Sequence, residues 1–168
     1  ATNVRHFARM CGVDGGRIIF AKRVEKDAHI HRVAAADLFV DTYHYGAHST
    51  ATDALWGGLP VLTFAGDSFA SRVGWSLLAN IDSALERMLV VDTMEEFLDT
   101  AVMLALDLVD ENNSKNSLLL QIRADLLRHG PSSILFDGPL YAENFERMME
   151  GMWEVYSLDP SKKYHLFM

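Results

Sequence analysis

Apolar residues along the chain follow two habits. Short consecutive runs, several rich in β-branched residues, predict buried strands at Arg17–Phe20, Asp37–Val40, Val61–Phe64 and Met88–Val91. Elsewhere apolar residues return every three or four positions, the spacing of a helix with one buried face. That spacing predicts a helix over Val4–Met10, capped by Asn3, stopped by Gly12 and turning Phe7, Met10 and Cys11 inward. The charged segment Val24–Arg32 runs into Ala34–Ala36 and reads as a second helix. Further helices are expected over Thr50–Gly58, ended by Gly57-Gly58, and from Phe69 to Ala79. Asp92-Thr93-Met94-Glu95-Glu96 announces a long one, with Thr93 and Glu96 as a capping box and Leu98, Ala101, Val102 and Ala105 as its apolar stripe. Asn112–His129, ended by Gly130-Pro131, and a helix opened by Pro139 and carrying Phe145, Met148, Met149, Met152, Trp153 and Tyr156 complete the chain.

Strands alternating with helices predict an α/β fold: a Rossmann-like parallel sheet with helices on both faces, followed by a helical C-terminal segment. The expected division is a core over residues 1–110 and a helical extension over 111–168 packing on the same lobe. With 168 residues and 49% apolar content, the chain can bury a core of its own. The net charge of −8 argues against nucleic acid as partner, because phosphate backbones call for a basic stripe. It does not oppose a bound diphosphate, since a helix N-terminus acts locally and distant charges are screened within about 10 Å. Cys11 is the only cysteine, so no intramolecular disulfide can form and a reducing, cytoplasmic setting is expected. It reads as a small hydrophobe, not a nucleophile. No apolar run approaches the ~20 residues of a membrane span. The chain begins without Met in what reads as mid-domain, the mark of a fragment.

The chemistry concentrates between Asp41 and Pro60, D-T-Y-H-Y-G-A-H-S-T-A-T-D-A-L-W-G-G-L-P. A strand, a Gly-containing loop and a Ser/Thr-rich helix start form the layout that holds a phosphate, because free N–H groups and the positive helix end face the loop. Ser49 and Thr50 add hydroxyl donors, His48 adds another, and Asp53 one turn on can accept from ribose hydroxyls. A simpler reading is open beside it: Thr50 and Asp53 also fit a capping signature that merely satisfies helix-end amides.

A second cluster is Lys26, His29 and Arg32, spaced by three and so sharing one helix face, which alone is equally the pattern of a solvated charged surface. His29, His31, His44 and His48 lie close in sequence, but His29 and His31 are two apart and point different ways on a helix, so no metal site is expected. Ser, His and Asp are all present for a Ser-His-Asp hydrolase, but its G-x-S-x-G elbow is absent. Ser68, Ser71 and Ser76 read as caps or solvated positions.

The spacing H-S-T-x-x-D-A-L-W-x-G-x-P resembles the nucleotide-binding lobe of the nucleocytoplasmic O-linked N-acetylglucosamine transferases. That is one of two facing Rossmann-like lobes of a GT-B glycosyltransferase. A K-x-x-H-x-x-R pattern at Lys26, His29 and Arg32, the A-S-R-V at Arg72, and P-S-S-I-L-F-D-G-P-L-Y and M-W-E-V-Y near the end extend the likeness from Val4 to Tyr156. The resemblance implies transfer of N-acetylglucosamine from UDP-N-acetylglucosamine to protein Ser/Thr hydroxyls, with inversion and with no metal or other cofactor. It implies that Lys26 reaches the ribose or diphosphate, that His29 stacks on the base and that Arg32 flanks the uracil. It further implies a cytoplasmic or nucleocytoplasmic parent in which tetratricopeptide repeats and a catalytic lobe precede this segment. No catalytic residue is then expected here, and the isolated segment is expected to be inactive. An exposed sheet edge would allow a homodimer. Two alternatives accompany this reading: a lobe of a GDP-fucose-dependent protein O-fucosyltransferase, and a non-catalytic nucleotide-binding or scaffold module.

Overall fold

Three short strands frame the computed structural model, which describes residues 2–109 and 117–161. β1 (Phe39–Val40), β2 (Val61–Phe64) and β3 (Val90–Val91) are parallel and lie in that order, Phe39 facing Val61 and Thr63 facing Val90. Parallel neighbours need crossovers. α3 (Ser49–Trp56) supplies the first, and α4 (Val73–Ala79) with α5 (Ser83–Leu89) the second. Val61 and Leu62 are 0% exposed and Thr63 1%. Successive strand side chains point to opposite faces, so both faces of β2 are covered. The chain thus adopts the expected parallel sheet flanked by helices, with a helical segment after it.

The core joins Ala51, Ala54 and Leu55 of α3 to Leu78 of α4, Leu89 of α5 and Leu104 of α6 (Met94–Val109). Leu119, Ile122 and Leu126 of α7 (Leu118–His129) close it. At the end of α3, Gly58 has φ +73° and a Cβ there would lie 2.5 Å from Leu127, so only glycine lets α7 approach so near. Thr93 and Glu96 form the expected reciprocal cap, Glu96 N–H donating to Thr93 Oγ1 at 3.1 Å and Thr93 N–H to Glu96 Oε2 at 3.2 Å.

Several expectations are overturned. Arg17–Phe20 is no strand: Gly15–Arg17 is a 3₁₀ turn and Ile19 is 85% exposed. α1 (Thr2–Met10) contains Asn3 instead of being capped by it, and Phe7, Met10 and Cys11 are all exposed. The helix is held at its other side, where Arg5 donates to Ile18 O and stacks over Phe20 at 5.3 Å, and no second layer covers its apolar face among the described residues. In α6 the inner face is Phe97, Leu104 and Leu108, while Leu98, Val102 and Ala105 are exposed. A helix apolar on more than one side offers two stripes one residue apart; packing against β2 and α7 selects one, and periodicity cannot. The fourth predicted strand shrinks to Val90–Val91 because α5, unread in the sequence, runs to Leu89 from a cap at Asp82, which accepts from Ala84 N–H at 2.6 Å. The first residues of the expected Asn112–His129 helix lie outside the described residues. α8 (Gly138–Leu158) opens at Asp137, which accepts from Leu140 N–H at 2.9 Å, and buries no residue, its methionines and Trp153 lying half-buried or exposed at the surface. No helix among the described residues is long and apolar enough to cross a membrane.

Candidate functional site

β1 ends at Val40, and the next residue sets the geometry of everything that follows. Asp41 is 6% exposed. Its Oδ1 accepts from Thr42 N–H at 2.8 Å and from Ala47 N–H at 2.7 Å, and its Oδ2 from the Thr63 hydroxyl of β2 at 2.8 Å. The loop between β1 and α3 is therefore wrapped around one carboxylate, and a further bond from Gly46 N–H to Ala70 O at 2.8 Å ties it to the turn before α4.

The loop delivers the chain to His48, the N-cap of α3, whose side chain caps nothing. The next two N–H groups, of Ser49 and Thr50, are too early in the helix to find an acceptor four residues back. The capping alternative for Thr50 and Asp53 fails here: Thr50 lies inside the helix, and the Asp53 carboxylate is engaged by α2. The His48 ring stacks on Tyr45, centroids 4.9 Å apart and 15° from parallel, with the Phe69 edge at 6.1 Å. Its Nε2 is buried without a hydrogen-bond partner. A buried polar atom left unpaired costs about 1–3 kcal/mol.

Beside the start of α3 runs α2 (Lys26–Ala34). Lys26 is ion-paired with Asp53 Oδ1, and His29 Nε2 lies 3.7 Å from Asp53 Oδ2. Arg32 Nη2 lies 3.2 Å from His29 Nδ1 and its Nη1 donates to Lys22 O at 2.7 Å. A guanidinium can only donate, so His29 Nδ1 is the acceptor, and in the neutral ring the proton sits on Nε2, toward Asp53. The expected shared face of Lys26, His29 and Arg32 is real, and Asp53 is the carboxylate it meets.

Lys26, His29, Arg32, Asp53 and Thr50 line an open cleft of 660 Å³ together with Arg23, Val24 and Glu25. Thr50 also lines an adjoining depression of 550 Å³ with Asp41, Tyr45, His48 and Ser49. All seven residues singled out in the sequence thus meet at one edge of the sheet, at the C-terminal ends of β1 and β2, where open α/β sheets receive ligands. The sequence reading missed Asp41 and Tyr45 as parts of the site. An acid directly after a buried strand and before a Gly-containing loop was the available signal for the first; nothing marked the second. Ser68 and Ser71 form a reciprocal cap before α4, and Arg72 stacks on Trp75 at 4.3 Å, so these have structural partners. Among the described residues, no group of three or more His, Cys, Asp or Glu side chains is arranged to hold a metal ion.

A cleft with an acceptor carboxylate, a cation and an imidazole, running to a helix start with unpaired donors, can hold a polar ring and diol at one end and an anion at the other. Comparison with known proteins supplies a family. The model of glycosyl transferase family 41 matches residues 1–145. The probable UDP-N-acetylglucosamine–peptide N-acetylglucosaminyltransferase SEC of Arabidopsis thaliana is 34% identical over 153 residues, covering 90% of this chain and 14% of its own length. The UDP-N-acetylglucosamine–peptide N-acetylglucosaminyltransferase of Caenorhabditis elegans is 33% identical over 154 residues, covering 90% of this chain and 12% of its own. The chain therefore spans only 14% and 12% of the length of these relatives. A solved structure of a mutant O-GlcNAc transferase from Thermobaculum terrenum superposes with a TM-score of 0.68 at 27% identity, over 88% of this chain and 27% of that one.

Proposed function

The chain belongs to glycosyl transferase family 41, and from that premise we propose that it is the donor-binding part of a transferase moving N-acetylglucosamine from UDP-N-acetylglucosamine to protein Ser/Thr hydroxyls. The observation that carries this reading is the convergence of Lys26, His29, Arg32 and Asp53 on a cleft that shares Thr50 with the uncapped start of α3. In this reading Asp53 accepts from the ribose hydroxyls, His29 stacks on the base with Arg32 flanking the uracil, and Lys26 reaches the ribose or diphosphate. Ser49, Thr50 and the His48 imidazole donate to the diphosphate.

Transfer with inversion breaks the bond between the sugar C1 and the β-phosphate oxygen while the acceptor hydroxyl oxygen joins C1 from the opposite face. The electron pair leaves with UDP. Without a metal, the growing charge must meet fixed donors and the positive helix end, worth most where water is excluded. Residues 1–110 would hold the donor and 111–168 would support that lobe; the base that receives the acceptor proton would come from elsewhere in a longer parent, leaving this segment inactive alone.

Calorimetric titration with UDP, UDP-N-acetylglucosamine and GDP tests the reading. Binding of both UDP compounds, at least about tenfold tighter than GDP and lost in Asp53→Ala, is expected. A preference for GDP would transfer the assignment to fucosyl chemistry. Failure of both this chain and a longer parent to bind UDP would leave the scaffold reading.

A further inference from the structure

Asp41 stands beneath the diphosphate end of the site, where a carboxylate is electrostatically the least welcome group. A negative charge under an anion site repels the ligand, so the reason for this residue must be geometric. The geometry is specific. Thr42 N–H and Ala47 N–H, five residues apart, close on the same oxygen, and the other oxygen takes the buried Thr63 hydroxyl. Two glycines make the room: a Cβ on Gly46 would lie 3.0 Å from Asp41 Oδ2, and one on Gly74 3.1 Å from Asp41 Oδ2 and 2.6 Å from Thr63 Oγ1. A carboxylate alone among side chains of this size offers only acceptors on both oxygens, which is what three converging donors require.

We propose that Asp41, itself fixed by Thr63, is the positioning residue for the diphosphate half of the donor site. The β1–α3 loop ends at Ala47, and its grip on Asp41 fixes where the chain enters His48. The Ser49 and Thr50 N–H groups are thereby presented together, and not as independently moving donors. Holding several donors in one arrangement before the ligand arrives spares the ordering cost that flexible donors incur on binding. The α2 half of the cleft is built separately, from Lys26, His29 and Arg32 on Asp53, and Asp41 touches none of them. The inference rests on the donor-site reading and deepens it.

The separation gives a direct test: titration of the 168-residue chain with uridine and with UDP, in the wild type, Asp41→Asn, Thr63→Val and Thr63→Ser. Asp41→Asn and Thr63→Val are expected to weaken UDP about tenfold, the cost of one lost hydrogen bond to a charged group, and to move uridine by no more than about twofold. Thr63→Ser, which keeps the hydroxyl, is expected to hold UDP within about twofold of wild type. Circular dichroism establishes that each variant is folded at the titration temperature. If Asp41→Asn does not fold, the Thr63 pair decides alone. Equal losses for uridine and UDP in folded variants would mean a general structural role and overturn the proposal, as would unchanged UDP binding in Thr63→Val. If neither the wild-type chain nor a longer parent binds either ligand, the donor site itself falls, an outcome distinct from either.

Discussion

On the α3 side of the cleft the organising carboxylate, Asp41, is buried beneath the loop, whereas on the α2 side the charged groups reach the surface, Lys26 most of all. Asp41 is 6% exposed and its oxygens accept from backbone N–H groups and Thr63; the Lys26 side chain is 66% exposed and pairs with Asp53. One half is made of backbone held in place from below, the other of side chains held by each other across a surface. The difference fits what each end would recognise. A diphosphate is met by N–H groups whose direction the chain sets, and a base and ribose by side chains that can adjust their reach. It also means that stability and binding should separate: changes under the loop cost both, changes on α2 cost binding alone.

The largest effect should come from filling the buried side. Gly74→Ala places a Cβ 2.6 Å from Thr63 Oγ1 and 3.0 Å from Thr63 Cβ, on a β-branched side chain with little freedom to turn away. A loss of about 1–3 kcal/mol in denaturant unfolding is expected, with weaker UDP binding as the Thr63–Asp41 bond yields. Unchanged stability would show that α4 moves off freely, and the contrast between the halves would lose its basis. Next comes Asp53→Ala, which removes the acceptor shared by Lys26 and His29. UDP and uridine should both fall by at least about tenfold while the melting midpoint moves little, since a half-exposed pair contributes about 0–1 kcal/mol. A smaller loss follows from Arg32→Lys. A lysine cannot both donate to Lys22 O and hold the His29 ring through Nδ1 as the planar fork does, so uridine affinity should drop by roughly threefold to tenfold. Equal affinity would mean that the His29 ring needs no such support.

The sequence carried the α3 side better than its surroundings, for reasons that can be located. Val61–Phe64 is buried on both faces, so its composition reads as a strand without help, and the Gly57-Gly58 stop is written into the chain because Gly58 needs a positive φ. The three-residue spacing of Lys26, His29 and Arg32 predicted a shared face, yet a shared face is also what a solvated helix has. Only the arrival of Asp53 from α3, 27 positions after Lys26 in the chain, distinguishes them, and periodicity carries no such long-range information. The same limit misplaced the buried stripe of α6. Arg17–Phe20 failed differently: its apolar run is strand-like, but pairing takes a partner, and the run has none among the described residues. Asp41 was passed over because an acid at a loop start looks the same whether it faces water or three donors.

The smallest effect, and the one that most sharpens the contrast, is Lys26→Met. The ammonium is compact and largely solvated, and its stem can lie along the cleft whether or not it carries charge, so methionine retains much of the packing while removing the pair with Asp53. Stability should change by less than about 0.5 kcal/mol. Binding should then tell which end of the ligand the lysine serves. If the amine attends the diphosphate, UDP weakens by roughly threefold to tenfold with uridine unchanged, and the loss shrinks as salt rises, because an exposed charge is screened over about 10 Å at 0.1 M. If it attends the ribose, uridine and UDP weaken together with little dependence on salt. A measurable loss of stability with either pattern would contradict the claim that the α2 half is held together at the surface. The cleft would then have to be treated as one buried network in place of two halves built by different means.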